Sequence, residues 1–343
     1  WPTAAQRMEW FYHKENSLLP PKKQINDFSG EFEGVVGITP KFVTDLLAVT
    51  GPLTVKGTTY DQHNFTRLLE YEVEKGYVKR GVSSWKRKEV IGNILEKIKI
   101  ELFNTPLDQW EEIYRVIQKN KDTKNLMVYL KDDYLQSRIK EIGASGGIKK
   151  AFQDYLMVVD ANLGARKTDP AVVKNIDYTL NESPNGLFAQ VDIKYSHTEE
   201  PDWRTSDYKT YTRIYTPQGS ELLELDKQND ASLKETRVRT QTEHNKTVFG
   251  TYIRIPAEEN GSIHVKYKLP KKISEQLDKG EYGLYWQKQP GNNMEKIRVD
   301  VQLLNRIKSY NPAGFYAERA GEKRIRWKGE LRRDRKFELR IKD

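Results

Sequence analysis

The feature that most constrains this chain is a change of apolar periodicity near Pro170. Beyond it come VVKNIDYTL, GLFAQVDIKYSHT, YKTYTRIYTP, KTVFGTYIRIP, GSIHVKYKLP, GEYGLYWQKQP and KIRVDVQLL, rich in Val, Ile, Thr and Tyr and bounded by Gly, Pro or Asn. Seven such runs with no long helical pattern predict an all-β antiparallel sandwich over residues 170–343. Asp226 to Thr247 is polar and reads as a long loop.

Before Pro170 apolar residues recur three and four apart. Residues 1–16 place Ala5, Met8, Phe11 and Tyr12 on one helical face, and a polar loop follows through Phe28. Val35, Val36 and Ile38 suit a strand, Thr39-Pro40 starts a helix, and Gly51-Pro52 ends it. Amphipathic helices are expected over Asp61–Lys75, Lys86–Phe103, Leu107–Lys119 and Asp133–Ile142, and a strand at LMVYL (126–130). YLMVVD (155–160) is a continuous apolar run, the pattern of a central strand covered on both faces. Alternating strands and helices predict an α/β domain over 1–169. The segment DANLGARKTD, Asp160 to Asp169, joins the two halves.

A length of 343 residues suits two domains. The 37 aromatic residues, 7 Trp, 19 Tyr and 11 Phe, supply enough buriable surface to rule out a disordered chain. The net charge of +9 is uneven, since residues 319–343 hold 11 Lys/Arg against 5 Asp/Glu. Such a tail suits an acidic partner; the plainer reading is a solvated strand, because Phe337, Leu339 and Ile341 alternate with Glu338, Arg340 and Lys342. The absence of cysteine excludes disulfides and a thiol nucleophile. No apolar run is long enough to cross a membrane as a helix. The five histidines show no metal-site spacing, there is no Gly-x-Ser-x-Gly elbow, and no nucleic-acid-binding motif is present, so no nucleic-acid partner is expected.

The DANLGARKTD segment is the richest cluster. Loops at the carboxyl ends of buried strands are where open α/β sheets hold ligands. There Arg166 can fork onto a phosphate, Lys167 adds a point charge, and Asp160 or Asp169 can hold magnesium through oxygen. The alternative is a hinge in which Arg166 pairs with Asp169 or with the second domain. Tyr208, Tyr211, Tyr215, Tyr282, Tyr285 and Trp286 would stack on sugar rings if exposed; alternating tyrosines are otherwise ordinary sheet residues.

FEGVVGITPKFVTDLLAVTGPLTVKG, DANLGARKTDPAVVKNIDY, YTRIYTPQGSELL and YGLYWQKQPG resemble the successive blocks of the bacterial family known as domain of unknown function 4012, over roughly residues 1–300. The resemblance implies an extracytoplasmic protein held at the cell membrane by an upstream anchor, with a first domain incomplete here. That domain is more distantly similar to the LytR–CpsA–Psr proteins, which transfer lipid-pyrophosphate-linked glycans onto bacterial cell wall. The shared pattern is the WPTAAQ helix, the EGVVGIT strand, the helix leading to TGPLTV, and KRGVSSWKRKEVIGNILEKI. By this resemblance Arg80 and Arg87 hold pyrophosphate, with Lys88 standing where the enzymes carry Gln. Lys86 and Lys88 complete a basic entry to a helix, which attracts anions or is merely a solvated turn.

The expectation is therefore a cell-envelope protein with a core that binds anions or glycan-lipid through Arg80, Arg87, Lys88, Arg166 and Lys167. Its implied partners are a polyprenyl-pyrophosphate glycan or a cell-wall polymer, and magnesium is the one cofactor in view. Two further readings stand beside it: a phosphotransferase attaching such a glycan to the wall, and a non-catalytic structural or adhesion protein. No residue is assigned a catalytic role.

Overall fold

The computed structural model describes residues 1–24, 32–164, 166–231, 237–292, 295–312 and 316–341. The end of the polar loop through Phe28 and the final Lys342 of the alternating tail lie outside the described residues. The chain divides into two compact units, Trp1–Gly147 and Ile148–Asp343.

The first unit is mainly helical. Its helices are α1 (Pro2–Leu18), α2 (Pro40–Thr50), α3 (Phe65–Tyr71), α4 (Tyr77–Lys79), α5 (Glu89–Asn104), α6 (Trp110–Asp122) and α7 (Asp133–Glu141). Its strands are β1 (Gly34–Ile38), β2 (Leu53–Val55), β3 (Thr58–Tyr60) and β4 (Leu126–Leu130). Val43, Leu46 and Leu47 of α2 and Val90, Ile94 and Ile98 of α5 supply the expected stripes, packed with Phe65 and Ile113 into one core. Gly51 ends α2 at φ 85°, a conformation that costs any side chain with a Cβ. The helix expected from Asp61 begins only at Phe65, because the Asp61 carboxylate accepts the backbone N–H of His63 and Asn64, each at 2.8 Å, and folds a turn instead.

The expected α/β sheet needs correction. Among the described residues this unit holds only two antiparallel pairs, β1 with β4 and β2 with β3. YLMVVD, the strand expected to sit at the sheet's centre, belongs to the other unit.

That second unit is built on strands β5 (Asp154–Asn162), β6 (Val172–Ser183), β7 (Gly186–His197), β8 (Tyr208–Pro217), β9 (Glu221–Gln228), β10 (Arg239–Glu243) and β11 (Lys246–Ile255). It continues through β12 (Asn260–Lys268), helix α8 (Lys271–Asp278), β13 (Glu281–Trp286), β14 (Lys296–Gln302), β15 (Ile307–Asn311), β16 (Tyr316–Arg319), β17 (Arg324–Glu330) and β18 (Arg335–Ile341). The strands form two seven-stranded sheets, ordered β10-β11-β8-β5-β13-β18-β15 and β16-β17-β14-β6-β7-β12-β9. Inward residues of both, among them Leu156, Ile176, Val191, Phe249, Trp286 and Trp327, share one core.

Three sequence expectations change here. The sheets are mixed rather than purely antiparallel, since β5 runs parallel to β13 and β6 parallel to β14. The boundary falls at 147/148 instead of 169/170, because β5 is a central strand wedged between β8 and β13. An apolar run covered on both faces is what such a strand requires, and either fold class can use it. Finally, much of the 226–247 insertion is strand: β9 reaches Gln228, and β10 turns into β11 through His244 and Asn245, at φ 51° and 57°. Two left-handed residues make the turn that antiparallel strands favour, here written without glycine.

Candidate functional site

Period two sends Asp154, Leu156, Val158 and Asp160 to one face of β5, and Lys174, Ile176, Tyr178 and Leu180 to one face of β6. Both rows point between the sheets, where Leu156, Ile176, Tyr178 and Leu180 are fully buried. Each strand thus carries ionisable groups on its core-facing side. Lys174 Nζ lies 2.8 Å from Asp160 Oδ2 and 2.7 Å from Glu295 Oε1, and all three side chains are almost completely buried. Tyr195 and Thr212 donate their hydroxyls to the other Asp160 oxygen at 2.9 and 2.7 Å. Asn292 Nδ2 donates to Glu295 Oε1 at 2.7 Å.

Burial works against the Lys174 charge, but the adjacent Asp160 and Glu295 carboxylates outweigh it and raise its pKa well above the ordinary lysine range. Lys174 is a fixed cation and not a proton donor or nucleophile at neutral pH. Burial, followed by the Asp160 charge, likewise pushes the Tyr195 hydroxyl well above the usual tyrosine range.

The YGLYWQKQPG segment holds the end of β5 in place. β13 pairs with β5 only from Leu284 to Trp286, and beyond that point side chains replace the ladder. Gln289 accepts the Asp160 backbone N–H and donates to the Asp160 carbonyl, both at 2.9 Å. Gln287 accepts from Tyr155 Oη at 2.8 Å and from the Lys149 backbone N–H at 2.9 Å.

A cavity of about 440 Å³ opens beside the ion cluster. Its lining includes Asp160, Lys174, Tyr195, Tyr208, Asn292 and Glu295, together with Asp169, Lys296 and Glu330. Four carboxylates face two ammonium groups there, so the field disfavours a pyrophosphate and suits an uncharged or cationic ligand rich in hydroxyls.

Asp160 is thus committed to Lys174, Tyr195 and Thr212, and Asp169 Oδ2 accepts from Asn162 Nδ2 at 2.7 Å. Among the described residues no group of three or more His, Cys, Asp or Glu is placed to hold a metal ion. Among the described residues no ion pair joins Arg166 to Asp169; Arg166 Nη1 donates to the Asp202 carbonyl at 2.8 Å, and its charge acts on the Asp202 carboxylate. The Lys167 backbone N–H donates to the Arg204 carbonyl, also at 2.8 Å. Asn162 closes the loop on itself, accepting from the Gly164 N–H at 2.9 Å and donating to the Arg166 carbonyl at 3.1 Å. The segment expected to be a hinge is a folded turn inside the second unit.

Arg80, Arg87 and Lys88 belong to the first unit, Arg166 and Lys167 to the second. Arg80 pairs with Glu72, and Arg87 Nη1 lies 2.9 Å from Glu74 Oε2. Gly76 makes room for the first pair, since a Cβ there would meet the Glu72 carboxylate at 2.8 Å. α5 starts at Glu89 with Lys88 as its N-cap, so an acidic residue of the helix itself meets the positive end. In the basic C-terminal segment, Arg324 and Arg326 both bond Asp300, and Arg332 pairs with Glu330 at 2.7 Å. Phe337 and Leu339 are buried between solvated neighbours, the plainer of the two readings of that tail. Of the proposed sugar-stacking aromatics, Tyr208, Tyr215, Tyr282 and Trp286 are core residues.

Sequence reasoning missed Lys174, Glu295, Tyr195, Thr212, Gln289 and Asn292. One signal was available for the lysine: it stands in phase with Ile176, Tyr178 and Leu180, a charge on the apolar face of its own strand.

Fold and site together define a chain with a helical first unit and a mixed two-sheet second unit, the latter closed around a buried carboxylate–lysine–carboxylate cluster. No protein-family profile and no curated protein matches the chain. Among solved structures, a candidate nutrient-binding protein of Legionella pneumophila is similar at 9 % identity and TM-score 0.34, over 54 % of this chain and 70 % of that one. The leukotriene A4 hydrolase of Saccharomyces cerevisiae is similar at 5 % identity and TM-score 0.29, over 52 % and 31 %. The folded domain of LppM from Mycobacterium tuberculosis is similar at 10 % and 0.21, over 50 % and 91 %. Likenesses this distant assign neither a family nor an activity.

Proposed function

We propose that this chain is a non-catalytic glycan-binding part of a bacterial cell-envelope protein, related to the domain of unknown function 4012 proteins and lying outside the cytoplasmic membrane. The envelope placement rests on the resemblance of the four sequence blocks. The binding role rests on one structural observation: two of the arginines expected to hold phosphate, Arg80 and Arg87, are already paired with glutamates, and the aspartate beside the cavity, Asp160, is already committed to Lys174. Arg80 and Arg87 face Glu72 and Glu74, and Asp160 and Glu295 share Lys174. A site that stabilises charge developing during transfer presents unmatched, preorganised cations, whereas a matched network presents hydrogen-bonding edges to a neutral ligand.

The central cavity takes a hydroxyl-rich saccharide, with Asn292 and Lys296 at its lining and the ion cluster as a rigid wall. Its volume of about 440 Å³ lies within the roughly 300–1,000 Å³ typical of ligand pockets. Calorimetric titration with neutral oligosaccharides, amino-sugar oligosaccharides and inorganic pyrophosphate tests the assignment. Saccharide binding weakened about tenfold by Asn292→Ala, a loss of roughly 1.4 kcal/mol, is the expected result. Pyrophosphate binding without saccharide binding would sink it and favour the phosphotransferase reading, in which Arg80 and Arg87 exchange their glutamates for phosphate.

A further inference from the structure

A second concavity lies on the opposite, outward face of the β13–β18–β15 part of the first sheet. Cross-strand register sets its floor. Glu281 stands opposite Arg340, which stands opposite Ser309; Gly283 stands opposite Glu338, which stands opposite Asn311. Tyr282, Leu284, Phe337 and Leu339, the alternate residues, point into the core. Gly283 therefore leaves a trough in the middle of an otherwise side-chain-covered face. A Cβ at that position would meet the Gln153 side-chain amide at 3.3 Å, so the missing side chain is what lets Gln153 lie over the sheet.

The trough encloses about 540 Å³. Four of its five lining charges are paired on the floor: Lys336 pairs with Glu338, and Arg340 lies 3.4 Å from Glu281, while Lys279 adds one positive charge at the edge. Between them stand uncharged hydrogen-bonding groups, the amides of Gln153, Gln276 and Asn311 and the Ser309 hydroxyl. At the rim Phe152 is 86 % exposed, and Gln276 Nε2 holds its backbone carbonyl at 2.7 Å. An exposed phenylalanine anchored by its neighbour, beside planar amides and two ion pairs, offers one apolar ring face and many hydrogen bonds, with Lys279 the one lining charge outside those pairs. That is the chemistry that recognises a sugar ring, apolar on its C–H face and polar at its edge.

We propose that this outer trough is a second saccharide subsite, binding an uncharged hexopyranose segment stacked on Phe152 with its hydroxyls met by Gln153, Asn311 and Glu338. The proposal deepens the glycan-binding reading, and it uses residues separate from the central cavity.

The test uses the whole chain, an α-1,4-linked glucose hexamer, a β-1,4-linked N-acetylglucosamine tetramer and a galacturonic acid hexamer. Titrations run at low and at 0.5 M salt. Phe152→Ala and Gly283→Val are expected to weaken neutral-oligomer binding about tenfold, with little change between the two salt concentrations, since stacking and neutral hydrogen bonds are not screened. Phe152→Ala removes an exposed ring and leaves the fold intact, so its result stands if Gly283→Val is unstable. Neutral-oligomer binding lost with Asn292→Ala but unchanged by Phe152→Ala would overturn the trough while leaving the central cavity standing. Binding of the galacturonate alone, abolished by 0.5 M salt, would overturn the ligand class. Wild-type protein that binds none of the three would overturn the trough and the glycan-binding reading together.

Discussion

Two aspartates on one face of one strand show how differently the interior of this molecule treats charge. Asp160 meets a cation and two hydroxyls; the partners of Asp154, six residues earlier, are among the described residues two hydroxyls and a backbone N–H. Its carboxylate accepts from Tyr178 and, at 2.6 Å, from Tyr282, and it accepts the Tyr155 backbone N–H at 2.7 Å. Burial dominates these hydrogen bonds and pushes its pKa up to about 6. The folded state therefore binds this proton more tightly than the unfolded chain, whose value is near 3.8. The stability that protonated Asp154 contributes is present below that lower value and is lost as pH rises to about 6. A two-unit shift corresponds to roughly 3 kcal/mol. Chemical denaturation of wild type and Asp154→Asn across pH 4 to 7 checks this: the wild-type stability, measured relative to the variant, should fall over that interval, and a flat difference would refute it. At the other aspartate, Lys174→Met strips the cation from two buried carboxylates. The expected cost is about 3–5 kcal/mol in urea unfolding, far above that of an exposed lysine.

At the scale of elements, most starts and stops follow from local chemistry. The Asp132 side chain accepts the Leu135 N–H at 2.8 Å and caps α7, and Asp132→Ala should cost about 1 kcal/mol, read as a lowered urea midpoint with unchanged slope. The Asp61 turn and the His244–Asn245 turn are as local as that cap, yet they ran against the sequence reading. An aspartate near a helical pattern either caps it or delays it, and the spacing of apolar residues does not say which. Strand character was legible over much of the second half, though not across Asp226–Thr247, and in the last strand alternation correctly placed Phe337 and Leu339 inside. The parallel partners of β5 and β6 were not legible, because period two fixes which face is buried and carries no information on the direction of the neighbour.

For the whole molecule, the division at Gly147/Ile148 makes a direct prediction. A fragment of residues 148–343 should fold with a single cooperative thermal transition. A fragment of 170–343 should not, since it lacks β5, the strand between β8 and β13 that brings Leu156 and Val158 into the shared core. Equal folding of the two fragments by circular dichroism would refute this boundary. By itself the sequence determined the helical character of the first part, the strand-rich second part, and the inward row of the last strand. These are consequences of local periodicity and turn chemistry, which are written in consecutive residues. Only the tertiary structure decided that YLMVVD serves the second unit, that Arg166 turns to a backbone carbonyl, and that Asp160 meets Lys174 and Glu295. Each of those depends on which distant segment fills the space beside it, and a charge on an apolar face announces its need for a partner without naming one.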